Sequence, residues 1–88
     1  MEIMVPCCAG LDVHQDWVEA GVRRIEPEGK LSQPIRPWGT ATRELMAMAE
    51  WFKAEGVRPV AMESTGVYWE PIFNILEGEF AVLLVNAQ

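Results

Sequence analysis

The hydrophobic pattern of this chain changes period near Trp38, and that change narrows the possible folds more than any other feature. Before it, the pattern is that of strands. An apolar run from Val5 to Val13, with Pro6 at its start, gives a buried strand from about Cys7 to Val13. From Asp16 to Arg24 the residues alternate: Trp17, Glu19, Gly21 and Arg23 share one face, Val18, Ala20, Val22 and Arg24 the other. A tight turn at His14-Gln15-Asp16 joins the two. Glu26-Pro27-Glu28-Gly29-Lys30 has the composition of a turn. A third strand follows from Leu31 to Trp38, placed at an edge because Pro34 and Pro37 cannot donate to a ladder.

Beyond Trp38, Leu45, Met48, Ala49 and Phe52 fall at i, i+3, i+4 and i+7, one face of a helix. Thr40 or Thr42 is its expected N-cap and Gly56 its stop. Val57 to Met62 reads as a strand. Val67 to Leu76 reads as a second helix, with Pro71 in its first turn and Gly78 at its end. Phe80 to Val85 is a continuous apolar run, the pattern of a strand covered on both faces. The order is β-β-β-α-β-α-β. Helical crossovers require parallel neighbours, so the simplest solution is an α/β fold with a mixed five-stranded sheet of order 3-2-1-4-5.

Eighty-eight residues make one domain, 1–88, with a modest core. Half the residues are hydrophobic, four of them Trp, which suits folding and excludes disorder. The net charge of −6, from 13 acids and 7 bases, argues against binding to nucleic acid by the chain alone, because phosphate affinity comes from Lys and Arg. Only Arg23-Arg24 are contiguous bases. No stretch is long and apolar enough for a bilayer, and Met1-Glu2-Ile3-Met4 lacks the basic start of a signal peptide, so no membrane partner and a cytoplasmic location are expected. Adjacent Cys7 and Cys8 point to opposite faces of a strand and read as small buried hydrophobes.

Two acids stand out. Asp12 follows Ala9-Gly10-Leu11 in an otherwise apolar strand, where a carboxylate without a partner is costly. The plain reading is a turn or capping Asp; the functional reading is a cation ligand. Glu63 follows Val60-Ala61-Met62 and precedes Ser64-Thr65-Gly66, one of whose hydroxyls is expected to cap the next helix. In a sheet of the order given, Asp12 and Glu63 meet at the carboxyl ends of adjacent parallel strands, where open α/β sheets place their ligands. Hard divalent cations such as Mg²⁺ take carboxylate oxygens and keep several waters, and two carboxylates are half of the usual two-ion set. Asp16, Ser64, Thr65 and Tyr68 are accessory candidates. His14, the only histidine, reads as a turn residue. No Ser-His-Asp set, Walker loop or GxGxxG is present.

These segments together resemble the amino-terminal part of the RuvC-like catalytic domain of DEDD transposases from bacterial insertion sequences, the insertion-sequence one-ten family. The resemblance rests on Gly10-Leu11-Asp12-Val13-His14 with Asp16, on Trp38-Gly39-Thr40 with the helix to Gly56, on Met62-Glu63-Ser64-Thr65-Gly66-Val67-Tyr68-Trp69, and on Leu83-Leu84-Val85-Asn86-Ala87-Gln88. It implies a ribonuclease H-like fold and Mg²⁺-dependent DNA strand cleavage and transfer by four acids, the first matching Asp12 and the second Glu63. The other two would follow the position of Gln88, so the chain is expected to be a truncated catalytic domain, inert alone. DNA is the implied partner of the full-length protein; whether a guiding nucleic acid joins it is left open. Two other readings compete. An actin-fold phosphotransferase shares the element order, but Val13-His14-Gln15 lacks the glycine that lets a turn approach phosphate. A non-catalytic acidic module that forms homo-oligomers would use an open sheet edge.

Overall fold

The computed structural model describes residues 7–26, 28–64 and 66–86. Their elements are β1 (Cys7–Val13), β2 (Trp17–Ile25), β3 (Leu31–Ser32), β4 (Ile35–Gly39), α1 (Thr42–Glu55), β5 (Pro59–Ser64), α2 (Glu70–Leu76) and β6 (Ala81–Asn86). The sheet runs β3-β2-β1-β5-β6, with β4 also pairing with β2. β1 is antiparallel to β2 and parallel to β5, and β5 is parallel to β6. The expected order therefore holds, with six strands instead of five. The expected third strand is cut at Gln33-Pro34 because Pro34 has no N–H for the ladder; its carbonyl instead accepts a bond of 3.0 Å from the Val22 N–H.

Burial alternates along β1, β2 and β5, so the sheet has two unlike faces. The inner face, with Ala9, Leu11, Val13, Val18, Ala20, Val22, Val60 and Met62, packs against Leu45, Met48, Ala49 and Phe52 of α1 and Ile72 and Leu76 of α2. Phe52 is fully buried and meets Phe80 edge-on at 5.9 Å. Each such side chain contributes roughly 1.5–3 kcal/mol by leaving water. On the outer face, among the described residues, no element covers the sheet.

Several boundaries differ from the sequence pattern. The N-cap of α1 is Ala41, with no side-chain bond, and neither threonine caps it. Glu44, in the first turn, reaches back instead, and its Oε1 accepts the Gly39 N–H at 2.7 Å. The helix does end at Gly56, whose φ of 84° suits the left-handed stop that glycine makes without strain. α2 begins at Glu70 rather than Val67, because Gly66 turns the chain at a φ of 68° and residues 66–69 form a turn. It ends with Glu77 at its C-cap, short of Gly78. β5 starts and stops two residues later than expected, and β6 one residue later. The start of β1 and end of β2 are tied to the last turn of α1: Arg24 donates to the Glu55 carbonyl at 2.8 Å and to its carboxylate, and Cys7 Sγ donates to the same carbonyl at 3.3 Å. Cys7 is buried as expected; Cys8 is only half-buried, on the outer face.

Candidate metal centre

The shift of β5 places Glu63 inside the strand instead of after it, and this decides the site. In the parallel ladder Asp12 is the register partner of Glu63, and in the antiparallel ladder Asp12 is the partner of Glu19. Glu19, Asp12 and Glu63 therefore form a row across three adjacent strands, all three exposed on the outer face. Neighbouring strands lie about 4.8 Å apart, so the carboxylates are within reach of one another. Like charges directly opposite destabilise a sheet. None of the ion pairs among the described residues involves Glu19 or Glu63.

Asp12 has one side-chain partner of opposite character among the described residues, His14, whose Nε2 lies 3.3 Å from its Oδ2. His14 is held by the turn between β1 and β2. Its backbone N–H donates to the Trp17 carbonyl at 2.9 Å, and its ring stacks on the Trp17 indole with centroids 4.2 Å apart and planes 13° from parallel. Asp16 sits in the same turn, exposed. Ser64 follows Glu63 but faces inward and is 7% exposed, so the strand alternation turns it away from the carboxylate row. Tyr68 lies in the turn before α2, 40% exposed. Thr65 and the closing Ala87-Gln88 of the matched segments lie outside the described residues.

Below the carboxylates the outer face is floored by small residues. Gly10 is in register with Gly21 on one side and Ala61 on the other. The result is a shallow groove of about 390 Å³ whose walls include Ile35 and Val85 and whose acidic end is Asp12, Glu19 and Glu63. A Cβ at Gly10 would meet nothing within 4 Å, so the groove is open space.

The chemistry of this donor set is that of hard oxygen ligands open to water, which fits a divalent cation that keeps several waters. Asp12 and Glu63 would hold it. Among the described residues, no group of three or more His, Cys, Asp or Glu is placed to hold a metal ion. Glu19 is the member that strand alternation alone does not reveal. The signal for it is the hairpin itself: a turn centred between Gln15 and Asp16 pairs residue 12 with residue 19.

No protein-family model matches the chain, and no curated protein does. Solved structures do. A fowlpox virus resolvase, determined with its substrate Holliday junction DNA, superposes with a TM-score of 0.63 at 11% identity, over 91% of this chain and 60% of that one. RuvC of T. thermophilus, in complex with a Holliday junction substrate, gives 0.61 at 14% identity, over 92% and 66%. The ROK hexokinase of Thermus thermophilus gives 0.52 at 27% identity, over 91% and 33%. The fold is thus the ribonuclease H-like fold of RuvC-type resolvases, and the chain spans about 60–66% of the length of the two resolvases. No helix of the described residues is long and apolar enough to cross a membrane.

Proposed function

We propose that this chain is the amino-terminal part of the catalytic domain of a DNA transposase or recombinase, a protein that cuts and transfers DNA strands with divalent cations, Mg²⁺ in the complete domain. The observation that carries this reading is the register of Asp12 with Glu63 on adjacent parallel strands, exposed at the carboxyl end of the sheet. When bound, the cation would lower the pKa of an attacking water and offset charge on the leaving oxygen. This chain's own residues contribute two carboxylate ligands and a floor of glycine and alanine that leaves room for a bulky partner. The Holliday junction substrates bound in the two resolvase structures support DNA as that partner. The segments Gly10 to Asp16 and Met62 to Trp69 support the transposase class over a resolvase. With a net charge of −6, the chain alone would bind DNA weakly, and metal plus further protein would supply the positive potential. The reading includes self-association through the open edge of β6 and a cytoplasmic location.

In the full-length protein, Asp12→Asn or Glu63→Gln should abolish DNA cleavage while leaving the circular dichroism spectrum and melting temperature near those of the unsubstituted protein. Cleavage retained by either variant would refute its role as a ligand. A second reading has the hexokinase likeness in its favour: an actin-fold phosphotransferase fragment. The turn after β1 weighs against it, because Val13-His14-Gln15 has no glycine and is closed by the His14–Trp17 backbone bond. Calorimetric titration with Mg²⁺-ATP separates the two, since only the phosphotransferase reading calls for nucleotide binding.

A further inference from the structure

The sheet ends in unlike strands. On one side Pro34 separates β3 from β4, and β4 carries Arg36 and Pro37. Proline and charge are devices that keep a sheet edge from pairing. On the other side, among the described residues, the sheet ends at β6, Ala81-Val82-Leu83-Leu84-Val85-Asn86, which has neither. We propose that β6 pairs antiparallel with β6 of a second copy of this chain, about a twofold axis at Leu84. Leu84 then lies opposite the partner's Leu84, Leu83 opposite the partner's Val85, and Val82 opposite the partner's Asn86. This deepens the self-association in the reading above by fixing the partner strand and its register.

The backbone sets that register. The Ala81 N–H donates to the Arg58 carbonyl, just ahead of β5, at 3.0 Å. Ala81 therefore turns its backbone groups toward β5. Alternation turns those of Leu83 and Val85 the same way, and those of Val82, Leu84 and Asn86 outward. In an antiparallel ladder, two residues that exchange both bonds must both face the other strand. An axis at Leu84 pairs every outward residue of β6 with an outward residue of the partner's β6. An axis at Leu83 sets Asn86 opposite a residue outside β6, and one at Val85 does the same to Val82.

The side chains suit the same register, which a twofold interface requires of a strand that must complement itself. Leu83, Leu84 and Val85 are 64%, 40% and 39% exposed. Leu83 and Val85 share the outer face, where each meets the other residue of the partner in the closest kind of cross-strand pair. Leu84 meets the partner's Leu84 on the inner face. Charge does not oppose the pairing. Glu63 is in register with Val85, and Ala61 with Leu83. The row Glu19, Asp12 and Glu63 therefore continues across the axis onto the partner's Ala61 and Gly10, not onto the partner's acids. At about 4.8 Å per strand and 3.3 Å per residue, the two Glu63 positions lie about 16 Å apart on one face. That exceeds the Debye length of about 8 Å at physiological salt.

Disulfide trapping on the 88-residue chain tests the register. Opposed Leu84 residues would have Cα atoms about 5.5 Å apart, which a disulfide spans, whereas Leu83 and the partner's Leu83 would be diagonal neighbours about 7–8 Å apart, which it does not. Under mild oxidation Leu84→Cys should form a linked dimer at least about tenfold faster than Leu83→Cys. A mixture of Leu83→Cys and Val85→Cys chains should give the mixed dimer. Tryptic mapping distinguishes these links from any at Cys7 or Cys8. Leu84→Pro removes an N–H that faces only the partner, so it should give a monomer in sedimentation velocity with an unchanged circular dichroism spectrum. Equal or faster linking of Leu83→Cys overturns the proposal, as does a monomeric unsubstituted chain or a folded Leu84→Pro chain that still dimerises. Should Leu84→Pro unfold, the cysteine rates decide alone. None of these measurements uses a cation or DNA, so their failure removes the dimer, while retained cleavage by Asp12→Asn removes the carboxylate site.

Discussion

Gly39 and Glu44 offer a sharp test of how the last strand of the meander is joined to the first helix. The Glu44 carboxylate occupies the place where a side chain at position 39 would begin. A Cβ built on Gly39 would lie 2.6 Å from Oε2 and 2.8 Å from Cδ and Oε1 of Glu44. Gly39 does not have a positive φ, so alanine there carries no backbone strain. The carboxylate is the end of a flexible side chain and would swing out. What Gly39→Ala removes is therefore the 2.7 Å bond from the Gly39 N–H to Oε1. A bond to a charged acceptor, discounted for partial exposure, contributes about 1–2 kcal/mol. In a domain of this size that lowers the melting temperature by roughly 5–12 °C. Glu44→Ala should cost about 0.3–1 kcal/mol more, because it also removes an acid from the first turn of α1. The decisive measurement is the double variant, by urea unfolding. Once Glu44 is alanine, Gly39→Ala should cost nothing, or stabilise by roughly 0.5–1 kcal/mol, since glycine within a strand is the less favourable residue. An equal loss in both backgrounds would refute the contact as the reason for glycine at this position.

Among the described residues β6 is an edge strand of the sheet, and this with the exposed Leu83 (64%) and Ile35 (63%) leads us to expect an oligomer at micromolar concentration, because shared apolar area contributes roughly 25 cal/mol per Å² and salt screens the repulsion between acidic copies. Sedimentation velocity is the check: Leu83→Lys should shift the chain toward monomer, and a clean monomer without that substitution would show that the edge is not used. Stability should also fall in alkali. The pKa of Lys53 is raised above its ordinary value by its bond to Glu50 and then by its bond to Glu79, so its contribution is complete below about pH 10.5 and is lost as pH rises through and beyond that value. Urea midpoints across that range should drop more for the unsubstituted chain than for Lys53→Met; equal drops would contradict the assignment.

What was legible in the sequence follows from which signals are long-range. The period change at Trp38 forces a helix between strands, and a helical crossover forces a parallel pair, so the meeting of Asp12 and Glu63 could be read without coordinates. The boundary of β5 could not. Glu63 and Ser64 have weak strand preference, and only pairing with Asp12, Val13, Val85 and Asn86 holds them in the ladder. The cap of α1 was missed for a related reason. Threonine is the usual capping residue, but here Glu44 supplies a bond from inside the first turn, and nothing local distinguishes the two solutions. Phe80 to Val85 reads as a strand buried on both faces, yet Leu83, Leu84 and Val85 are 39–64% exposed. Among the described residues nothing lies over them, and an apolar run records what a strand can tolerate, not what covers it.

The outer face joins two properties that seldom share one sheet. Its centre, Gly10, Gly21 and Ala61, is nearly without side chains, and its carboxyl end carries three carboxylates in register. The first property weakens the strands, since glycine there loses most freedom on folding and packs nothing. The second sets like charges side by side. Neither helps the fold, and the buried inner face offsets both. Features that cost stability without packing are better explained by what approaches them. A floor without side chains admits a bulky partner close to the backbone. A row of acids at its end repels any anion unless a cation comes between. On the reading proposed for this chain, the same few residues therefore make the approach of a phosphodiester depend on bound metal.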